Sequence, residues 1–314
     1  MAIDKKFIDQ FINITSRAAL ASSYLVGKKD KIGADKAAVD SMRSNLNNLQ
    51  IKGQIVIGEG ELDEAPMLYI GEKVGDNSGP EFDIAVDPLE GTNFAANNLP
   101  GALSVIAISE KNNLFKAPET YMEKISTKAN EKNVVDLDYS VKKNIFNLSE
   151  YLNKKPDNLT ACILNRPRHH ETINELKKLN VKIKLISDGD VSGALLVTDD
   201  KYGVDIFLGI GGGPEGVLAA SALDAYGCFF QGKFLFDNEE DKLRAKKMGI
   251  ENFDKKYELN EIVSGDSIFC ATGITSGDLV SGINLTNNSF TSETLITHKS
   301  SGFKKNLKST HKIK

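Results

Sequence analysis

Residues 83–92 read Asp83-Ile84-Ala85-Val86-Asp87-Pro88-Leu89-Glu90-Gly91-Thr92, an apolar run that ends in two carboxylates, a proline and a glycine. A short apolar run followed at once by turn-forming residues is typical of a buried strand. Residues 54–58 have the same form, and Gly58-Glu59-Gly60-Glu61-Leu62-Asp63-Glu64-Ala65 follows them directly. The sequence therefore predicts two buried strands that each end in a cluster of acids.

Acids at the ends of buried strands lie at the edge of a core, where an uncompensated carboxylate is costly. Carboxylate oxygens are suitable ligands for Mg²⁺ or Mn²⁺, and a pair of such ions is a recurring device for hydrolysing phosphate esters. Either acid cluster alone could be a solvated turn. The two clusters together favour a metal site.

The composition is that of an ordinary globular protein. The chain has 314 residues, of which 40% are hydrophobic and 26% charged, with a formal net charge of −4. This length predicts one large or two tightly joined domains, and the acidic balance argues against nucleic acid as the main partner. No apolar stretch approaches the roughly 18 residues of a membrane span, and residues 1–6 lack a signal-peptide core. We expect a cytoplasmic protein with no membrane partner.

Three further features concern side chains outside the acid clusters. The cysteines Cys162, Cys228 and Cys270 stand singly in apolar runs, which predicts buried reduced thiols. The adjacent His169 and His170 cannot both face one metal from a helix, which argues against zinc. The basic residues of segment 299–314 indicate a solvated or partly ordered end.

The first half of the chain mixes helical and strand patterns without strict alternation. Helical periodicity covers residues 4–27 and resumes after the polar loop 30–35, so that Asp35 falls near a helix start. Strand patterns follow at residues 54–58, 82–87 and 102–108. Another strand is expected within residues 122–138, before an amphipathic helix over residues 141–152. This half is predicted to be α+β.

The second half alternates strands and helices, which is the signature of parallel α/β structure. Strands are predicted over residues 160–164, 181–186, 204–210 and 228–235, and helices over residues 170–179, 191–197 and 214–225. We place a domain boundary near residues 154–159. The predicted domains are residues 1–156, an α+β domain that binds metal, and residues 157–314, an α/β domain that completes the substrate site.

In open α/β sheets ligands gather at the carboxyl ends of the strands. The segment Gly211-Gly212-Gly213-Pro214-Glu215-Gly216 follows such an end, but it lacks the GxGxxG spacing and a following Lys-Ser/Thr. It predicts a tight turn whose backbone N–H groups approach a ligand, with Pro214 opening a helix. A purely structural turn, with Glu215 placed favourably for the helix dipole, is the alternative.

Taken in order, these motifs resemble those of class II fructose-1,6-bisphosphatases, a family within the superfamily of lithium-sensitive, metal-dependent sugar phosphatases. The resemblance rests on segments 34–35, 57–68, 83–92, 117–124, 166–169, 188–190 and 211–216, and continues to residues 271–275 and 294–295. The block from Gly58 to Leu68 is more specific to this class than the Asp-Pro-Leu-Glu-Gly-Thr element. The resemblance implies a layered α-β-α-β-α fold, which is commonly oligomeric, so a homo-oligomer is expected.

The resemblance also implies ligands for two Mn²⁺ or Mg²⁺ ions. Asp35 and Glu59 would hold one ion, and Asp87, Glu90 and Glu215 the other. Substrate contacts would come from Glu90, Gly91, Thr92, Tyr121, Arg166, Pro167, Arg168, Asp188, Gly189, Asp190 and Gly212, with Lys31 as a further candidate.

Phosphate-monoester hydrolysis leaves little covalent work for the protein. Glu61, Asp63 and Thr92 are the candidates for orienting and deprotonating the attacking water, with Thr92 preferred as a relay over a covalent nucleophile. The metals serve the scissile 1-phosphate, so the other phosphate needs cations. Arg166 and Arg168 fit that need, although in isolation they could equally be a surface pair.

The resemblance implies hydrolysis of fructose 1,6-bisphosphate to fructose 6-phosphate and phosphate, a gluconeogenic step. Three alternatives stay open on the sequence: a bisphosphatase that also accepts sedoheptulose 1,7-bisphosphate, an inositol-monophosphatase-like activity, and a catalytically inactive sugar-phosphate sensor. The full set of acids argues against the sensor.

Overall fold

The computed structural model describes residues 2–58 and 68–313. In chain order, the helices of the described residues are α1 (Lys6–Ser23), α2 (Lys31–Asn47), α3 (Thr92–Ala96), α4 (Val141–Tyr151), α5 (His170–Lys178), α6 (Asp190–Leu195), α7 (Gly213–Tyr226), α8 (Glu239–Lys247) and α9 (Leu259–Ile262). The strands are β1 (Lys52–Ile57), β2 (Lys73–Val74), β3 (Glu81–Glu90), β4 (Leu103–Glu110), β5 (Tyr121–Thr127), β6 (Thr160–Leu164), β7 (Lys182–Ile186), β8 (Ile206–Gly212), β9 (Phe229–Leu235), β10 (Lys256–Glu258), β11 (Ser267–Gly273), β12 (Asn284–Leu285), β13 (Ser289–His298) and β14 (Phe303–Lys312). The mixed α/β class is as predicted, with element ends displaced by a few residues.

The chain forms two compact units, Met1–Lys116 with Val263–Lys314, and Ala117–Ile262. This division differs from the predicted boundary between residues 156 and 157. Strand β5 pairs with β8 and β9, which draws residues 117–156 into the second unit. Strand β11 pairs with β4, which returns the end of the chain to the first unit. Neither pairing is local in sequence, so periodicity could not place the boundary.

The first unit is built on a sheet with the order β12-β13-β11-β4-β3-β1-β2, in which β14 also pairs with β13. Helix α1 packs against β3, β4, β11 and β13, and α2 packs against α1 and β3. The core between these helices and the sheet includes Phe11, Met42, Ile84, Ile106 and Ile296. Strands β1 and β3 are parallel neighbours, so their carboxyl ends lie at the same end of the sheet.

The second unit is built on a sheet with the order β10-β9-β5-β8-β6-β7. Strand β6 runs parallel to β7 and β8, as predicted. Strand β9 runs in the same direction as β8 but is not its neighbour, because β5 lies between the two strands and is antiparallel to both. Helices α4 and α5 contribute Leu148 and Leu176 to one core cluster with Ile125 of β5. Ser126, the next residue of β5, donates to the carbonyl oxygen of Ala194 in α6, so helices cover both faces.

The basic end of the chain is more ordered than the solvated or partly ordered end that we expected, because residues 303–312 form a strand, although the lysines of that strand are exposed to solvent. Strand β14 pairs with β13 along ten register positions, from Ser289↔Lys312 to His298↔Phe303. Leu307 packs against the core, and Asn306 donates to the carbonyl oxygen of Leu279. Core packing of Phe303 and Leu307, together with the backbone pairing, outweighs the charge pattern here.

The three cysteines are buried thiols, as predicted. Burial raises the pKa of the Cys270 thiol. Among the described residues, no helix combines the length and hydropathy needed to cross a bilayer.

Candidate active site

A bulge in β3 sets the direction of the carboxylates that end this strand. Asp87 pairs with Val105 of β4, and Glu90 pairs with Leu103, so three steps along β3 match two steps along β4. In a regular strand residues three apart point to opposite faces, but one inserted residue removes that difference. Asp87 and Glu90 therefore face the same side of the sheet. Pro88 sits in the bulge, where its missing N–H costs no ladder hydrogen bond.

The neighbouring apolar residues identify this side. Val86 and Leu89 both belong to the core beneath α1 and α2. Asp87 and Glu90 therefore project from the opposite face, where Asp87 is half-buried and the Glu90 side chain is 4% exposed. Two carboxylates on one side of a strand end, one of them buried, are an arrangement that a cation stabilises.

Helix α2 begins beside this strand end and carries Asp35 in its second turn. Asp30 caps the helix by accepting a hydrogen bond from the Gly33 N–H at 2.8 Å. The preceding loop is tied to α3, because the N–H groups of Gly27 and Lys29 donate to its carbonyl oxygens. Asp35 is half-buried, and burial raises the pKa of its carboxyl group. Lys31, the first residue of α2, is exposed.

Gly91 turns the chain from β3 into α3. Its φ of 78° and ψ of 50° are left-handed, and a Cβ at this position would lie 2.8 Å from Cδ2 of Phe94. Only glycine fits this turn without strain. Thr92 follows as the first residue of α3, half-buried, so its hydroxyl group lies next to the Asp87–Glu90 bulge in the chain.

One predicted metal ligand and two predicted water-orienting acids belong to a segment that the structure does not describe. Glu59, Glu61 and Asp63 lie outside the described residues, although Gly58 directly follows β1. Within residues 2–58 and 68–313, no three His, Cys, Asp or Glu side chains are close enough together to hold a metal ion. The complete metal-ligand set stays a prediction.

In the second unit, the predicted phosphate-binding arginines lie beyond the carboxyl end of β6, in and next to the 3₁₀ turn Pro167–His169. The Arg168 guanidinium lies 4.8 Å from the centre of the Tyr121 ring, and its Nε donates to the carbonyl oxygen of Ile210 at 2.9 Å. Arg166 lies 3.6 Å from Oδ1 of Asp188. The structure thus brings four predicted substrate residues together in two pairs, both partly exposed to solvent.

His169 organises this turn, a role that the sequence did not reveal. It is 2% exposed, its Nδ1 donates to the carbonyl oxygen of Leu164 at 2.8 Å, and its Nε2 accepts from the Ile210 N–H at 2.8 Å. It joins the ends of β6 and β8 beyond their last paired residues. Burial lowers the pKa of this imidazole, and the Arg168 charge acts in the same direction. The only sequence signal was its position directly after Arg-Pro-Arg.

The glycine-rich turn has the predicted form, with Gly212 preceding α7 and Pro214 in its first turn. The glycines leave room for acids. A Cβ at Gly211 would lie 2.3 Å from Oδ2 of Asp190, and a Cβ at Gly212 would lie 1.8 Å from Oε2 of Glu215. Burial raises the pKa of the Glu215 carboxyl group; the Lys124 ammonium opposes this effect and the Asp190 carboxylate adds to it.

Comparison with known proteins identifies the family. Residues 5–311 match the family described as bacterial fructose-1,6-bisphosphatase, glpX-encoded. The chain belongs to this family. The resemblance predicted from its motifs is therefore confirmed.

Individual members of this fructose-1,6-bisphosphatase family agree with that assignment. The chain is 40% identical to the D-fructose 1,6-bisphosphatase class 2/sedoheptulose 1,7-bisphosphatase of Synechococcus sp. (strain JA-3-3Ab), over 94% of this chain and 92% of the relative. It is 42% identical to the protein of the same name from Synechococcus sp. (strain CC9311), over 90% and 88% of the two chains. An inositol monophosphatase structure from Anabaena (Nostoc) sp. shares 15% identity over 61% of this chain and 69% of its own, with a TM-score of 0.31, too low to support any argument.

Proposed function

We propose that this protein hydrolyses fructose 1,6-bisphosphate to fructose 6-phosphate and inorganic phosphate, as a phosphoric monoester hydrolase. The observation that carries the proposal is the family match over residues 5–311, which includes the acids of the first unit and the arginines of the second. The two sets of side chains suit the two ends of a bisphosphate, because carboxylates with bound cations serve the cleaved phosphate and arginines serve the retained one.

The acids of the first unit fit a divalent metal by their chemistry. All are oxygen donors, Asp87 and Glu90 share one side of the sheet, and burial raises the pKa of Asp35. We assign Asp35 and Glu59 to one ion and Asp87, Glu90 and Glu215 to the other, as Mg²⁺ or Mn²⁺. When bound, such ions neutralise the phosphate and lower the pKa of the attacking water. The Thr92 hydroxyl, with Glu61 and Asp63, orients that water and relays its proton.

The second unit supplies the groups that recognise the sugar and the retained phosphate. Arg168 is held by Ile210 and the Tyr121 ring, so it meets a phosphate with little loss of side-chain freedom. Arg166 adds a second charge. Asp188 and Asp190 accept hydrogen bonds from sugar hydroxyls, while backbone groups at Gly91, Gly189 and Gly212 and the Lys31 ammonium complete the substrate contacts.

A second substrate is favoured by the names of the relatives. Both Synechococcus proteins compared above carry a name that includes sedoheptulose 1,7-bisphosphatase. We include the seven-carbon bisphosphate as a candidate for the same site, because both substrates present two terminal phosphates.

The test is phosphate release from fructose 1,6-bisphosphate, sedoheptulose 1,7-bisphosphate, fructose 1-phosphate and inositol 1-phosphate, each with Mn²⁺, with Mg²⁺ and with excess EDTA. Cleavage of a bisphosphate that stops in EDTA is expected. Preference for inositol 1-phosphate, or no cleavage of any substrate by folded protein, contradicts the proposal. Light scattering on the same preparation tests the expected homo-oligomer.

The variants Arg166→Ala and Arg168→Ala test the assignment of the retained phosphate. Each lost charge-assisted hydrogen bond costs about 1.5 to 3 kcal/mol, so kcat/KM for fructose 1,6-bisphosphate should fall by one to two orders of magnitude. The loss on fructose 1-phosphate should be much smaller. Arg244→Ala, which removes an arginine of the surface helix α8, is the matched control. Equal losses on both substrates would assign the arginines to the metal site or to the fold.

A further inference from the structure

Lys124 is a buried lysine at the centre of the second unit. It lies on β5, between β8 and β9, opposite Gly209 and Gly232. Its side chain is 1% exposed. Lysine is almost never fully buried unless its charge is paired, so its position requires an explanation. An apolar residue would fill a central strand position with less desolvation.

The Lys124 ammonium joins two separate turns of the unit. It donates to Oδ2 of Asp190, the first residue of α6, and to the carbonyl oxygen of Gly212 at 2.7 Å, the last residue of β8. The surroundings of this pair are close-packed. A Cβ at Gly211 would meet the Asp190 carboxylate, and a Cβ at Gly216 would lie 3.4 Å from Cδ of Lys124.

The Asp190 carboxylate keeps one oxygen for another contact. Its side chain is 10% exposed, and its Oδ2 is engaged by Lys124. Its Oδ1 is buried and has no hydrogen-bond partner in the part of the chain that the structure describes. A buried acceptor of this kind calls for a donor, and a sugar hydroxyl is a suitable one.

We propose that Lys124 is a positioning residue for substrate binding, which holds Asp190 and the Gly212 carbonyl group in place so that Oδ1 of Asp190 receives a sugar hydroxyl. This inference rests on the proposed function. Lys124 does not touch the substrate, and it acts through the two turns that it joins. The buried ion pair thereby stabilises one arrangement of these two turns and of the substrate-binding groups that they carry.

The test is Lys124→Met, which keeps the length of the side chain and removes its charge and donors. We expect KM for fructose 1,6-bisphosphate to rise by about tenfold, as for one lost hydrogen-bonded contact with a charged group, with kcat changed by less than about threefold. The dissociation constant of fructose 6-phosphate, measured by calorimetry without turnover, should rise by a similar factor. Lys128→Met is the control, since Lys128 follows β5 and forms an exposed ion pair with Asp200.

A purely structural role predicts a different result. A smaller folded fraction lowers the apparent kcat and leaves KM and the dissociation constant unchanged, and that outcome overturns the proposal. If Lys124→Met does not fold, as judged by near-ultraviolet circular dichroism, Lys124→Gln is compared in the same way. Wild-type protein that neither cleaves fructose 1,6-bisphosphate nor binds fructose 6-phosphate refutes the proposed function. Normal wild-type behaviour with unchanged constants in the Lys124 variants refutes the positioning role alone.

Discussion

The substitution Gly212→Ala should displace the Glu215 carboxylate and leave the free energy of unfolding nearly unchanged. Gly212 has φ −64° and ψ 145°, a conformation that any residue adopts, so alanine introduces no backbone strain. The obstacle is a side chain. A Cβ at this position would lie 1.8 Å from Oε2 of Glu215, whereas ordinary contact begins near 3.4 Å. The Glu215 carboxylate must therefore move away from the new Cβ by about 1.6 Å.

This displacement has a large effect on activity and a small one on stability. Glu215 can rotate away, and a compatible glycine-to-alanine change stabilises a fold by about 0.4–1 kcal/mol through the unfolded chain. We therefore expect the free energy of unfolding to stay within about 1 kcal/mol of wild type. A misplacement of about 1 Å in a site can cost about 100-fold in rate. We therefore expect kcat/KM to fall by at least about 100-fold, or about 2.7 kcal/mol.

The assay is kcat/KM for fructose 1,6-bisphosphate, with the Mn²⁺ concentration for half-maximal activity, beside urea unfolding of the same samples. Gly209→Ala is the matched control on β8, because its Cβ would meet only ordinary contacts, 3.4 Å from Phe207 and 3.8 Å from His169. If Gly212→Ala folds with near-normal kcat/KM and metal requirement, Glu215 does not act from the position in which the structure places it.

Three further results are expected. Thr92→Ser should retain appreciable activity and Thr92→Ala should lose most of it, because a water-orienting relay needs the hydroxyl group; a phosphorylated Thr92 trapped during turnover would favour a covalent route instead. Asp87→Ala should lower kcat by orders of magnitude in a folded protein, and a normal rate with normal metal affinity would remove Asp87 from the ligand set. The pKa of His169 is lowered in the folded state, so below pH 6.5 this side chain binds fewer protons in the folded state than in the unfolded state. The stability that neutral His169 contributes is therefore present above pH 6.5 and is lost as the pH falls below 6.5. In denaturant unfolding between pH 7.5 and pH 5, the free energy of unfolding should depend more steeply on pH than in His169→Gln, by up to about 1.4 kcal/mol per pH unit. Identical slopes in both proteins would mean that His169 titrates alike in the two states.

The sequence was most informative where structure follows from neighbouring residues. Apolar runs ending in acids located the carboxyl ends of β1 and β3, and the glycine-rich segment before Pro214 located the start of α7. These features depend on local periodicity and on the conformations that glycine and proline allow. The family could also be recognised from motif order alone, since chemistry confines those residue types to fixed spacings.

The sequence was least informative where a contact joins distant segments. Strand β5 separates β8 from β9, and β14 pairs with β13 in spite of its lysines. The pairing register of the strands could not be predicted from the sequence either. The bulge that turns Asp87 and Glu90 to one side is recognised only from the residues that pair with them on β4. Pairing and register are decided by the fit of whole strands, which one short segment does not encode.

For the candidate site, the sequence by itself determined the type of chemistry, and tertiary structure decided how the groups are held. The two acid clusters after β1 and β3 were predicted from their residue types, because few side chains bind metal ions, whereas the arginines were assigned through the family resemblance. Lys124 and His169 were not predicted, because a buried lysine and a buried histidine acquire their roles from partners far along the chain. Lys124 meets Asp190 and Gly212, and His169 meets Ile210, only after the second sheet has assembled. Burial gives these contacts their strength, and burial is a property of the folded chain.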